Sequence, residues 1–244
     1  MIEIRNLWKQ FGTNKVLQGV DLIIQPGETL VVIGKSGCGK SVLLKLILGL
    51  MIPNEGEIFF KGRDIFKMKR KELYAIRKHF GFLFQGAALF DSMTVEENVG
   101  LALSENTKMT FAEISKIVAE KLELVGLPGI QNMMPSSLSG GMKKRVSLAR
   151  SLATNPQYIM YDEPTTGLDP VMSDSIDDMI RDLALKLKVT SVVVTHDIFS
   201  VYDVADKVAM MVDGKIYFHG TPHELIQSND PVIRNFLHRT DKKL

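Results

Sequence analysis

Three short stretches of the chain lack any alternation: residues 29–33 (Thr-Leu-Val-Val-Ile), 158–161 (Tyr-Ile-Met-Tyr) and 191–194 (Ser-Val-Val-Val). Runs that are short, β-rich and apolar without a period predict strands buried on both faces, as in the centre of a parallel sheet. Each run stops at groups that carry chemistry: Gly34 and the loop behind it, the pair Asp162-Glu163, and Thr195-His196. Helical patterns follow at 41–50, 172–186 and 198–205. Strand, loop and helix in repetition predict an α/β core. In such sheets ligands sit beyond the C-terminal ends of the strands, where these polar residues fall.

Two portions break that rhythm. Residues 1–25 and 56–60 alternate like antiparallel strands, with a turn signal at Gln25-Pro26-Gly27-Glu28. Residues 91–154 read mostly as helix, with Thr110 as N-cap of a helix over 111–125 and Gly126 near its end. Asp213-Gly214 is expected to turn a hairpin between 208–212 and 215–218. The expectation is one domain over residues 1–244: a parallel-sheet core, a small antiparallel β region and a helical insertion at about 91–154. A C-terminal helical segment at about 230–244 carries Val232, Ile233, Phe236 and Leu237 at helical spacing. Packing on its own core is the expected use of that stripe; a second subunit or a small regulatory protein is the alternative.

Composition narrows the class. A hydrophobic fraction of 45% supports a sizeable core, and a formal net charge of +2 gives no reason to expect a nucleic-acid partner, which normally needs a basic face. The densest basic run, Lys67, Lys69, Arg70 and Lys71, is interrupted by Met68 and closed by Glu72, and reads as a solvated segment. Cys38 is the only cysteine, so no intrachain disulfide is possible, which fits a reducing compartment. No stretch reaches the ~18–20 apolar residues that span a bilayer. The expectation is a soluble, cytoplasmic chain that other chains bring to any membrane.

Residues 34–41, Gly-Lys-Ser-Gly-Cys-Gly-Lys-Ser, fit G-x-x-x-x-G-K-[ST] between a buried strand and a helix. Glycines let the backbone of Gly34, Lys35, Ser36, Gly37, Cys38 and Gly39 wrap a phosphate with inward N–H groups, and the next helix aims its positive end at the same anion. Lys40 is expected to reach the β- and γ-phosphates of ATP, and the Ser41 hydroxyl to ligate Mg²⁺. Asp162 is placed to hold the Mg²⁺ shell, directly or through water. Glu163, one residue on, faces the attacking water as general base or orienting group. His196, at the end of the third strand, can donate a hydrogen bond to the γ-phosphate.

Between the phosphate loop and the acid pair, Leu138-Ser139-Gly140-Gly141-Met142 opens a further helix. Ser139, Gly140 and Gly141 at a helix N-terminus make a second anion site from a hydroxyl, bare N–H groups and the helix dipole. One γ-phosphate does not need two such sites from one chain. The economical solution is that this one closes over nucleotide held by a second copy.

With these residues the chain resembles the ATP-binding-cassette (ABC) ATPases along essentially its whole length. Residues 138–142 are similar to the family signature, 34–41 to Walker A and 158–163 to Walker B. The resemblance implies a P-loop NTPase (RecA-like) fold and ATP hydrolysis by a head-to-tail dimer. It adds roles for Gln85 at the Q-loop (touching Mg²⁺ or water and sensing the membrane subunit) and for Asp169 in the D-loop at the dimer interface. Phe11 falls where an aromatic ring stacks on adenine, with Trp8 nearby. Met142 replaces the glutamine that many import ATPases carry. Together with residues 84–99 and 161–170 it resembles the Mla-type branch, which implies phospholipid or other hydrophobic-substrate traffic, an integral permease, an MCE-domain partner and, in some complexes, a small regulatory subunit. Attachment is then peripheral, at the inner face of the cell membrane through the permease.

Ala87-Ala88-Leu89-Phe90 behind Gln85 suits a groove for a short permease helix, or else ordinary burial beneath the helical insertion. Two rival functions remain open: an importer ATPase for another solute, and a soluble ABC ATPase acting on nucleic acid. The single phosphate loop and the lack of a long heptad run count against the second.

Overall fold

A computed structural model describes residues 1–241. The alternating N-terminal segment forms β1 (Ile2–Phe11) and β2 (Asn14–Ile24), which pair antiparallel. On the other side of β1 lie β4 (Glu55–Phe60) and the short β5 (Arg63–Asp64), giving the order β2-β1-β4-β5. The second sheet holds β3 (Thr29–Gly34), β6 (Phe80–Leu83), β7 (Tyr158–Asp162), β8 (Thr190–Thr195), β9 (Lys207–Val212) and β10 (Lys215–Gly220). Its order is β10-β9-β3-β8-β7-β6. All pairs are parallel except the β9–β10 hairpin, so the expected parallel core carries one antiparallel edge strand. That hairpin turns at Asp213 (φ 47°) and Gly214 (φ 75°), the left-handed pair a tight two-residue turn requires.

Every residue of β3, β7 and β8 is buried, which is why these segments show no alternation. Leu30, Val32, Met160, Val192 and Val194 face α1 (Lys40–Ile47) and the inner side of the small sheet, where Ile2, Ile4, Leu7, Leu17 and Ile58 complete one core. Val31, Ile33, Ile159, Tyr161 and Val193 face the opposite way into a second core. That core is closed by the insertion helices α3 (Val95–Asn106), α4 (Phe111–Leu124) and α5 (Gly140–Leu152), and by α6 (Pro170–Leu187). Thr110 with Glu113 forms a capping box that starts α4 where the sequence signals it, and Thr94 with Glu97 forms another that starts α3.

The basic run splits between a turn and α2 (Arg70–Arg77), a short helix with no buried residue. Lys67 there pairs with Glu57 at 2.5 Å and Asp64 at 3.1 Å. After α7 (Phe199–Val204) and α8 (Pro222–Gln227), α9 (Pro231–Asp241) buries Ile233, Phe236 and Leu237 in the second core. The expected C-terminal segment therefore packs on its own chain through Ile233, Phe236 and Leu237; residues 242–244 lie outside the described residues. Among the described residues no helix is long and apolar enough to cross a membrane.

Candidate active site

The parallel strands deliver their C-terminal ends to one edge, and three of those ends build the site. β3 runs out into the glycine loop, and Gly39 caps α1 with φ 107°. A Cβ at Gly39 would lie 2.8 Å from Leu17 Cδ2 and 2.9 Å from the Val16 carbonyl, so both backbone angle and space demand glycine. Lys40, 4% exposed, turns back into the loop: its Nζ donates to the Gly34 carbonyl at 2.8 Å and lies 3.3 Å from Glu163 Oε1. The Ser41 hydroxyl donates to Asp162 Oδ1 at 2.6 Å, joining the start of α1 to the end of β7.

Glu163 leaves β7 with φ 49°, a left-handed conformation that costs a non-glycine residue about 1–2 kcal/mol. Its surroundings hold it there. Its N–H donates to the Val194 carbonyl of β8 at 2.9 Å, and its own carbonyl accepts from Lys144 Nζ at 3.4 Å. The carboxylate, in a residue only 8% exposed, accepts from His196 Nδ1 at 2.7 Å and from Thr166 Oγ1 at 3.1 Å. A carboxylate only accepts, so Nδ1 carries a proton. Donation from the same ring to a phosphate then uses Nε2 and requires either the imidazolium or a ring that has let go of Glu163.

Lys144 and Thr166 belong to this arrangement although the sequence reading passes over both. Lys144, on α5, also donates to the Gln85 carbonyl, so one buried ammonium ties the Q-loop position to the turn at Glu163. Burial pulls its pKa down, against the opposing pull of Asp162 and Glu163. Thr166 lies three residues after Glu163 and caps the turn back on its carboxylate, a short-range signal that the sequence does contain.

Gln85 itself is exposed just past β6. Behind it Ala87 (φ 61°) and Ala88 (φ 50°) are held left-handed by α5: Ser147 Oγ and Arg150 donate to the Ala87 carbonyl at 2.8 Å, and Arg150 donates to that of Ala88 at 2.7 Å. The segment therefore divides, with Ala87 buried and Phe90 half exposed. A groove of about 650 Å³, lined by Phe82, Phe84, Ala88, Phe90, Leu101 and Arg150, opens beside it.

Ser139 and Asp169 sit at separate helix N-termini. Ser139 caps α5 by accepting from the Met142 N–H at 3.2 Å, and Asp169 caps α6 by accepting from the Met172 N–H at 3.0 Å. Gly140 is exposed beside Ser139, whereas Gly141 is buried against the Met172 side chain, where a Cβ would collide with Met172 Cε. Phe11 is 46% exposed at the end of β1, with Lys9 Nζ 5.2 Å from its ring centre. The Trp8 indole N–H is already spent on Asn6 Oδ1 at 2.8 Å. The structure thus brings Lys40, Ser41, Asp162, Glu163 and His196 together and leaves Ser139, Gly140, Asp169 and Phe11 on other stretches of surface.

Cys38 lies half-buried inside the loop. Its Sγ sits 2.7 Å from where a Cβ on Gly34 would be, and it lines a cavity of about 120 Å³ with Met210, Met211 and Phe236. Burial raises the thiol's pKa, against the pull of Lys40. An alkylating reagent is expected to inhibit ATP hydrolysis because its adduct exceeds that space, faster at higher pH, with nucleotide protecting. The check is inactivation kinetics with a maleimide on the wild type and Cys38→Ala. Equal inactivation of both would place the reactive group elsewhere.

The donor set at Ser41 and Asp162 is one hydroxyl and one carboxylate, both hard oxygens, converging at 2.6 Å. That fits Mg²⁺, which keeps most of its waters and takes few protein ligands beside substrate phosphates.

Known proteins resemble the chain in sequence and in fold. A family model described as "ABC transporter" matches residues 17–166. Over 97% of its length the chain is 43% identical to "Probable ribonucleotide transport ATP-binding protein mkl" of Mycobacterium leprae. It covers 68% of that protein and 66% of its Mycobacterium tuberculosis counterpart, about two thirds of either. It is 41% identical, over 97% of its length and 90% of the relative's, to "Intermembrane phospholipid transport system ATP-binding protein MlaF" of Haemophilus influenzae. Among solved structures, the ATP-binding cassette MJ0796, a dimer in a post-hydrolysis state bound to ADP and Pi, superposes with TM-score 0.83 at 33% identity. The match covers 91% of this chain and 99% of that one.

Proposed function

The chain belongs to the ABC transporter family and is an ATPase of the P-loop fold, and from that premise we propose that it energises phospholipid transport between membranes. The observation carrying the chemistry is the Glu163 carboxylate, held between Lys40 and His196 with Ser41 and Asp162 alongside. In this reading Lys40 and the loop N–H groups hold the β- and γ-phosphates. Ser41 and Asp162, with Gln85, would hold Mg²⁺, which would supply charge neutralisation on the phosphates. Glu163 takes the proton of the attacking water, and His196 contacts the γ-phosphate.

Ser139, Gly140 and Gly141, with Asp169, close over nucleotide bound by a second copy in a head-to-tail dimer, and Phe11 stacks on the adenine. Their capped, outward-facing helix ends and the dimeric form of the related cassette support this. The whole chain acts as one cassette, peripheral to the inner face of the cell membrane. The groove at Phe84, Ala88 and Phe90, fastened to the site through Arg150 and Lys144, suits a short helix of an integral permease.

The phospholipid assignment is supported by the relative of that name, which the chain spans at 90% of its length, and by the resemblance of Met142 and its neighbours to the Mla-type branch. An MCE-domain protein, and in some complexes a small regulatory subunit, are the partners it implies. The mycobacterial relatives carry a name that refers to ribonucleotide transport, which favours a second reading, import of another small solute. Affinity capture from native membranes, with mass spectrometry of proteins and lipids, separates the two. A permease with an MCE-domain protein and bound phospholipid supports the first. A permease with a soluble solute-binding protein supports the second and overturns the first.

A further inference from the structure

The helix α6 borders the site on several sides. Its first residue follows Asp169, its Met172 packs on Gly141, and its Ser175 accepts from Arg145 of α5 at 2.7 Å. Two residues further on, Asp177 points into the contact with α7, where the Ser200 hydroxyl donates to its Oδ2 at 2.7 Å. Asp177 is 2% exposed and Ser200 fully buried, and among the described residues Oδ1 of Asp177 is enclosed without a hydrogen-bond partner. Only two residues separate Ser200 from Asp197, and His196 precedes that, so this bond is a polar tie between α6 and the segment that carries His196, beside the apolar packing of Ile198, Val201 and Val204.

The groups around Asp177 are acidic from every side. Asp174 and Asp178 lie on α6 itself, Asp197 on the loop behind β8, and Asp203 on α7. The cation Arg181 is engaged with Asp178 at 2.6 Å, and Arg145, from α5, with Ser175. Burial, aided by Asp197, Asp203 and Asp174 and opposed by the Ser200 hydrogen bond, pushes the Asp177 carboxyl up to about 7.

We infer that Asp177 is a positioning residue: neutral, it locks α7 and the His196 loop onto α6, and ionised, it opens that contact, so that ATP turnover is coupled to pH. The ionised carboxylate has a bare, buried oxygen with Asp174, Asp197 and Asp203 acting against its charge, and it must draw in water, which separates the two helices. The proposal rests on the reading that His196 contacts the γ-phosphate. Since the folded-state pKa is raised, the stability this group contributes is fully present below about 3.8 and lost as pH rises through about 7.

The test is the pH profile of kcat for the full chain with Mg-ATP, for wild type, Asp177→Asn, Ser200→Ala and His196→Ala. Asparagine is nearly isosteric, keeps an oxygen for Ser200 and cannot ionise. Relative to Asp177→Asn, the wild type is expected to lose about fivefold or more in kcat between about pH 6 and about pH 8.5. Asp177→Asn should also melt above the wild type at the alkaline end. Ser200→Ala removes the locking bond itself, so its kcat should lie near the wild type's alkaline level at every pH and its pH dependence should flatten. Coincident profiles for wild type and Asp177→Asn, or a Ser200→Ala profile equal to the wild type's, overturn the proposal. His196→Ala turning over like the wild type at every pH would instead overturn the reading of His196, whatever the other variants do.

Discussion

Glu163→Gln is expected to cut ATP turnover by about 10²–10⁴-fold while leaving ATP affinity equal to or above that of the wild type. The first half follows from chemistry: an amide cannot take a proton from water at neutral pH. The second half follows from the contacts. The carboxylate faces three donors, Lys40 at 3.3 Å on one oxygen, and His196 at 2.7 Å and Thr166 at 3.1 Å on the other. A glutamine has one oxygen and one NH₂ for the same places. Keeping the oxygen toward Lys40 turns the NH₂ to His196, so Nδ1 becomes an acceptor and the proton moves to Nε2. The ring can then donate to a phosphate without first becoming an imidazolium. The variant should therefore accumulate with ATP trapped in the closed dimer, visible as an ATP-dependent shift in size-exclusion chromatography. Turnover like the wild type would remove Glu163 from the role of base.

Much of this site was legible in the chain because its key residues sit at the ends of strands whose burial erases alternation. β3, β7 and β8 are covered on both faces, and each hands its next residues to the site edge: Gly34 to Ser41, Asp162 with Glu163, and His196. The phosphate loop is a local motif, and local geometry such as the Gly39 backbone is what a motif records. The capping boxes at Thr94 and Thr110 are equally local. What did not show is long-range. Lys144 reaches Gln85 across 59 positions and Arg150 reaches Ala88 across 62, and nothing in the pattern around a lysine or an arginine on an amphipathic helix names its partner. Asp177 and Ser200 are alike in this: each reads as an ordinary helical polar residue until α6 and α7 are laid together. The single antiparallel edge strand follows from Asp213-Gly214, but its place beside β9 at the end of the larger sheet depends on the whole fold.

Lys40→Ala should lower ATP affinity by about 100-fold or more, since at least two charge-assisted contacts to phosphate, each contributing about 1.5–3 kcal/mol, depart together. Affinity is best measured calorimetrically in a Glu163→Gln background, where hydrolysis does not intrude. Stability should fall as well. Lys40 is 4% exposed and pairs with Glu163, itself 8% exposed, and removing one partner of a buried pair typically costs about 3–5 kcal/mol because the other charge is stranded. The two losses have different cures. Replacing Glu163 by glutamine in the same chain removes the stranded charge, so the melting temperature of Lys40→Ala/Glu163→Gln should recover toward that of Glu163→Gln while ATP binding stays lost. Lys40→Arg should not rescue binding either, because the ammonium sits 2.8 Å from the Gly34 carbonyl inside the loop and a planar guanidinium does not fit that space. Unchanged ATP affinity in Lys40→Ala would mean that the loop backbone alone holds the phosphates. A melting temperature that the double variant fails to restore would mean that the Lys40–Gly34 hydrogen bond, rather than the pair with Glu163, is what stabilises the loop.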